Sequence, residues 1–144
     1  MISESVYRRM LYVGAGLVIG VAAILAFGVI PPVRTDTSPM ASPERAVPAI
    51  WASVIAHLII GAILLGMFLV TRRGGRANKG LLWAAAIVAL LLGLLMVDGA
   101  FAYLDHPGLH GVAVWMFVCV GCDLAAGVLA LTTAVVRRRQ PPSR

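Results

Sequence analysis

Four apolar runs, each long enough to cross a bilayer, alternate with short polar segments along this chain. They cover about residues 10–30, 49–70, 81–104 and 111–136. The hydrocarbon core of a membrane is ~30 Å thick, and a helix needs ~20 apolar residues to span it. Each run therefore predicts one transmembrane helix. The connections TRRGGRANKG and DHPGLH are short and rich in turn residues, which makes the helices they join antiparallel neighbours. The pattern predicts an all-α membrane protein, a single integral domain over 1–144 folded as an antiparallel four-helix bundle.

Finer marks set the expected ends. Pro31-Pro32 closes the first run, since proline removes a helical donor and clashes with the preceding turn. The segment 32–48, PVRTDTSPMASPERAVP, reads as the long outer loop, with Ser42-Pro43-Glu44-Arg45 able to start a short helical turn. Trp51 and Tyr103 stand where interfacial aromatics are expected. Gly16 and Gly20 form a GxxxG pair, read first as a packing seam within the bundle and second as a contact to another subunit. Ala85, Ala89 and Gly93 form a second small-residue stripe. The first run follows Arg8-Arg9 but is longer than the ~7–15 residues of a signal-peptide core, so it reads as an uncleaved anchor.

Composition sharpens this picture. Of the residues, 60% are hydrophobic and 12% charged, and the mean hydropathy is +0.94. A chain this short has no soluble interior that could hide four such runs. The net charge of +6 would suggest nucleic acid in a soluble protein. Here the basic residues flank the spans: Arg8, Arg9, Arg72, Arg73, Arg76, Lys79, Arg137, Arg138, Arg139 and Arg144 on one side, Arg34 and Arg45 on the other. The positive-inside rule then predicts both termini in the cytoplasm, as in a bacterial inner membrane. Lipid, and not nucleic acid, is the expected partner.

Three ionisable side chains lie within the apolar runs: His57, Asp98 and Asp123. Each costs roughly 2.5–3.5 kcal/mol at bilayer depth, so such residues usually face a bundle interior. They are expected to share a polar pocket in the outer half of the bundle, with Asp105, His106 and His110 at its mouth. Holding the bundle together by hydrogen bonds is the plainer role for any one of them. His106 and His110 are four apart beside Asp105, a spacing that would suit a metal on a helix, but Pro107-Gly108 disfavours a helix there.

Cys119 and Cys122 form a CxxC spacing. It resembles that of quinone-linked thiol oxidases, which are four-helix membrane bundles; the likeness implies redox chemistry at those thiols. This chain lacks the second, relaying cysteine pair of that family, and the thiols read as two buried side chains, or as soft ligands for copper(I) or zinc with a histidine. The run His57-Leu58-Ile59-Ile60-Gly61 resembles the His-x3-Gly of membrane anchors of quinone-reducing dehydrogenases, which implies haem ligation by His57 with Gly61 making room. A second ligand at matching depth is missing. No nucleotide loop, nucleophile elbow or metalloprotease motif is present.

Two function classes follow. The first is a small non-catalytic accessory or anchor subunit of a larger respiratory or redox complex, whose outer pocket contacts a partner, a lipid or a quinone. The second is an oligomeric proton- or cation-coupled transporter or channel using the intramembrane Asp and His residues. Polar groups concentrated in the outer halves of the spans favour the first.

Overall fold

A computed structural model describes residues 3–36 and 42–136. It contains four helices long and apolar enough to cross a membrane: α1 (Glu4–Thr35), α2 (Pro43–Arg72), α3 (Lys79–Leu104) and α4 (His110–Val136). They form an all-α bundle. The chain is thus an integral membrane protein by the length and composition of its helices.

The expected stop at Pro31-Pro32 does not occur. The α1 rod is α-helical over Glu4–Ile24, passes through a π turn at Leu25–Val29, and resumes as α-helix over Ile30–Thr35. The wide turn is closed by Ile30 N–H donating to the Leu25 carbonyl. The prolines then fall in the first turn of the resumed helix, where a backbone donor is not required. Thr35 ends the rod by donating its hydroxyl to the Pro31 and Pro32 carbonyls, both at 3.1 Å. At the other side of the loop, α2 starts at Pro43, and Arg45 and Ala46 N–H both bond the Ser42 carbonyl. Most of the expected 32–48 loop is therefore helix; residues 37–41 lie outside the described part.

The α2–α3 turn is tight because Gly74 adopts φ +80°, a left-handed conformation that glycine takes without a Cβ clash. Gly75 N–H then reaches back 2.9 Å to the Val70 carbonyl, and a Cβ on Gly75 would sit 2.7 Å from Val70 Cγ1. Asn78 caps α3 by accepting from Gly80 and Leu81 N–H. Leu109 in the α3–α4 turn is buried and anchors that end.

Packing is uneven around the ring. The α3–α4 interface is the most extensive, α1 packs on both α2 and α4, and α2 and α3 touch only lightly. Close approach is set by glycines. A Cβ on Gly61 would lie 2.6 Å from Ile19 Cγ1, one on Gly127 2.6 Å from Leu90 Cγ, and one on Gly93 3.0 Å from Asp123 Cβ. Ala85, Ala89 and Gly93 are all buried. Gly16 and Gly20 are different: a Cβ on either would meet nothing within 4 Å, so this pair is no seam within the bundle. The buried apolar residues form two clusters. One holds Val54, Met96, Met116, Cys119 and Val120, towards the α3–α4 turn; the other holds Val18, Ile60, Leu64, Leu82 and Ala126, towards the α2–α3 turn.

Candidate functional site

Between those clusters sits one polar pair. His57 Nε2 lies 3.1 and 3.0 Å from the two carboxyl oxygens of Asp123, and both side chains are fully buried. His57 is the fifteenth of the 30 residues of α2, and Asp123 is the central residue of the 27-residue α4. The contact therefore lies at mid-span and bridges α2 to α4 across the bundle.

The second ring nitrogen is also engaged. His57 Nδ1 is 2.6 Å from the backbone carbonyl of Ser53 one turn earlier, with Ser53 Oγ at 3.4 Å. A carbonyl only accepts, so Nδ1 carries a proton and donates. One more proton must lie between Nε2 and the carboxyl, because two facing lone pairs would repel. The geometry thus calls for two protons over the pair, either as imidazolium and carboxylate or as neutral imidazole and carboxylic acid. Both states are neutral overall, which is the form a low-dielectric interior accepts most readily.

The surroundings explain why the pair is closed. Gly93 of α3 lies directly against Asp123, where a Cβ would sit 3.0 Å from the Asp123 Cβ and 3.6 Å from the Val120 carbonyl oxygen. The two other buried polar residues among those described, Thr71 and Thr133, bond within their own helices: Thr71 donates to Phe68 O and Thr133 to Ala130 O.

Comparison with models of known protein families, with curated proteins and with solved structures finds no match. What the chain does must be read from its own side chains.

Of the three residues expected in one pocket, the structure brings two together. Asp98 is exposed on the outside of α3 and does not join His57 and Asp123. The pair itself is not an open pocket in the outer half; it is sealed at mid-span. The mouth residues also separate. Asp105 and His110 are exposed, while His106 Nε2 sits 3.7 Å from Asp36 Oδ2 at the end of α1, both partly buried. Among the described residues no three His, Cys, Asp or Glu side chains come together as a metal set.

The haem arrangement implied by the His-x3-Gly resemblance does not fit. Both His57 nitrogens are hydrogen-bonded within the protein, and the space beside Gly61 is filled by Ile19 of α1. Cys119 is buried in the α3–α4 cluster and Cys122 is half-buried; both are free thiols well inside α4. They lack the helix-start position that activates a CxxC.

Sequence reasoning missed two participants. Ser53 contributes through its backbone carbonyl, which no side-chain pattern reports, although its i, i+4 spacing to His57 was visible. Asp36 lay in a polar stretch with no periodicity to single it out.

Proposed function

We propose that this chain is a small non-catalytic accessory or anchor subunit of a larger membrane assembly. The observation that carries this reading is the closure of the one intramembrane polar pair among the described residues. His57 and Asp123 satisfy each other and Ser53, with apolar clusters on both sides. Such a bundle is a scaffold: its polar interior fixes how the helices meet, and its outer surface is left for neighbours.

The basic flanks support an orientation with both termini in the cytoplasm. Arg8, Arg9, Arg72, Arg73, Arg76 and Lys79 cluster at the end holding the N-terminus and the α2–α3 turn, opposite Arg34 and Arg45. That bias fits a bacterial inner membrane. The surroundings of His57 and the two thiols add no support for a respiratory or redox link of that assembly.

A proton- or cation-coupled transporter is the second reading, favoured by the mid-span depth of a His–Asp pair. A conduit needs polar lining towards both faces. The described side chains above and below the pair are instead Val54, Met96 and Val120, and Val18, Ile60 and Ala126.

Purification from native membranes in a mild detergent, through a C-terminal tag, separates the two. The accessory reading expects a stoichiometric membrane partner identified by mass spectrometry. A chain that purifies alone, and that moves protons in proteoliposomes unless Asp123→Asn is introduced, would establish the second reading.

A further inference from the structure

Asp98 is the one charged side chain that the interior of a span turns outward among the described residues. Its depth follows from its neighbours. Gly93, five residues earlier, abuts Asp123 at the centre of α4. At a rise of ~1.5 Å per residue, Asp98 lies ~7.5 Å beyond that level. Half of the hydrocarbon layer is ~15 Å. With the bilayer centre taken at the level of the His57–Asp123 contact, the carboxyl is about midway to the edge.

Its side chain is too short to carry the carboxyl to the membrane surface. Lysine and arginine snorkel on long stems, whereas aspartate carries its carboxyl one carbon beyond Cβ. Helical side chains also lean towards the N-terminus of their helix. In α3 that direction takes Asp98 deeper, towards the bilayer centre.

The surface around it is a regular stripe. Ile87, Leu91, Leu94, Asp98 and Phe101 recur at spacings of four and three, and the four apolar members are 50–65% exposed. Phe101 is braced edge-on by Phe117 of α4, with ring centroids 5.3 Å apart. Exposed leucines need no explanation in lipid, but a carboxyl does.

We propose that this α3 face docks a transmembrane helix of a different protein that carries an arginine or lysine at the depth of Asp98. Charge complementarity selects a cation, because a carboxyl in hydrocarbon is stabilised most by a paired, hydrogen-bonded one. It also selects a different protein. No arginine or lysine lies in the apolar runs of this chain, and His57 is enclosed with Asp123, so a second copy has no cation to present at that depth. The inference rests on the accessory-subunit reading and names the face it would use.

The test uses the full chain in phosphatidylcholine–phosphatidylglycerol vesicles with a donor dye at its C-terminus. The probe is a synthetic membrane-spanning Leu/Ala helix bearing an acceptor dye and either one arginine ~7.5 Å from its centre or none. Energy transfer is expected to report about tenfold tighter association of the arginine helix. Asp98→Leu should erase that preference, and Asp98→Asn, which keeps the side-chain shape, should reduce it. Equal association of the two helices overturns the proposal, as does a preference that survives Asp98→Leu. Transfer between differently labelled copies of the chain that depends on Asp98 and excludes the arginine helix also overturns it, in favour of self-association. These outcomes are separate from co-purification. Loss of the arginine preference leaves the accessory reading standing on its partners, while an intact preference with no native partner defeats that reading and keeps the surface.

Discussion

Replacing His57 with leucine is expected to destabilise the bundle more than replacing Asp123 with leucine, because the two residues have unequal support. Leucine branches at Cγ as aspartate does and approximates the size of histidine, so both changes remove polarity with little change in shape. In Asp123→Leu, His57 keeps its 2.6 Å bond to the Ser53 carbonyl and leaves only Nε2 without a partner. An unsatisfied buried neutral group costs ~1–3 kcal/mol, and we expect about 1.5. In His57→Leu, the Asp123 carboxyl loses the partner that contacts both its oxygens, in a site with no exposure. Breaking a buried pair in that way costs ~3–5 kcal/mol in soluble proteins. Hydrogen bonds between membrane helices average ~0.6 and reach ~1.7 kcal/mol, because helices unfolded in the membrane also find partners. The closed geometry and the carboxyl place His57→Leu near the lower end of the first range, about 3 kcal/mol. The double replacement buries no orphan and should cost less than His57→Leu alone, a coupling of about 2 kcal/mol. Unfolding of the four variants in mixed dodecyl maltoside–SDS micelles, followed by far-ultraviolet circular dichroism, gives all the terms. Additive costs, or Asp123→Leu as the more damaging single change, would refute the reasoning.

Glycine substitutions should divide by location: Gly61→Ala, whose Cβ would overlap Ile19, is expected to cost ~1–3 kcal/mol, while Gly16→Ala in open space stays within ~0.5 kcal/mol by the same SDS titration. A membrane-permeant maleimide should modify Cys122 slowly and leave buried Cys119 unlabelled until SDS is added, as counted by intact mass; rapid double labelling in the membrane would contradict the packing of α4. Arg73→Cys and Gly108→Cys, in a background with both native cysteines replaced by serine, are expected to react with an impermeant maleimide from opposite sides of the membrane, Gly108→Cys from outside; labelling from one side would break the four-span topology.

The number of spans was legible in the sequence because bilayer thickness imposes it locally. A stretch of ~20 apolar residues bounded by polar ones is a sufficient signal wherever it occurs. The glycine-rich α2–α3 turn was equally local, whereas the Asn78 cap emerged only from the structure. The Pro31-Pro32 stop misled, because a π turn one step upstream can move prolines to a helix start, and no residue type announces that turn.

Apart from α3, where Ala85, Ala89 and Gly93 mark a buried face in the sequence, which side of each helix faces inward was decided only by the tertiary structure. In water, an apolar stripe against a polar face reveals the buried side. In lipid, both the core-facing and the membrane-facing sides are apolar, and packing chooses between them by shape. That is why Gly61 and Gly93 meet neighbouring helices while a Cβ on Gly16 or Gly20 would meet none. It is also why Asp98 and Asp123, alike in sequence context, part company. The sequence marked His57, Asp98 and Asp123 as costly in a membrane; the rotation of α2 and α4 joined the first to the last across 66 positions, and the rotation of α3 turned Asp98 away.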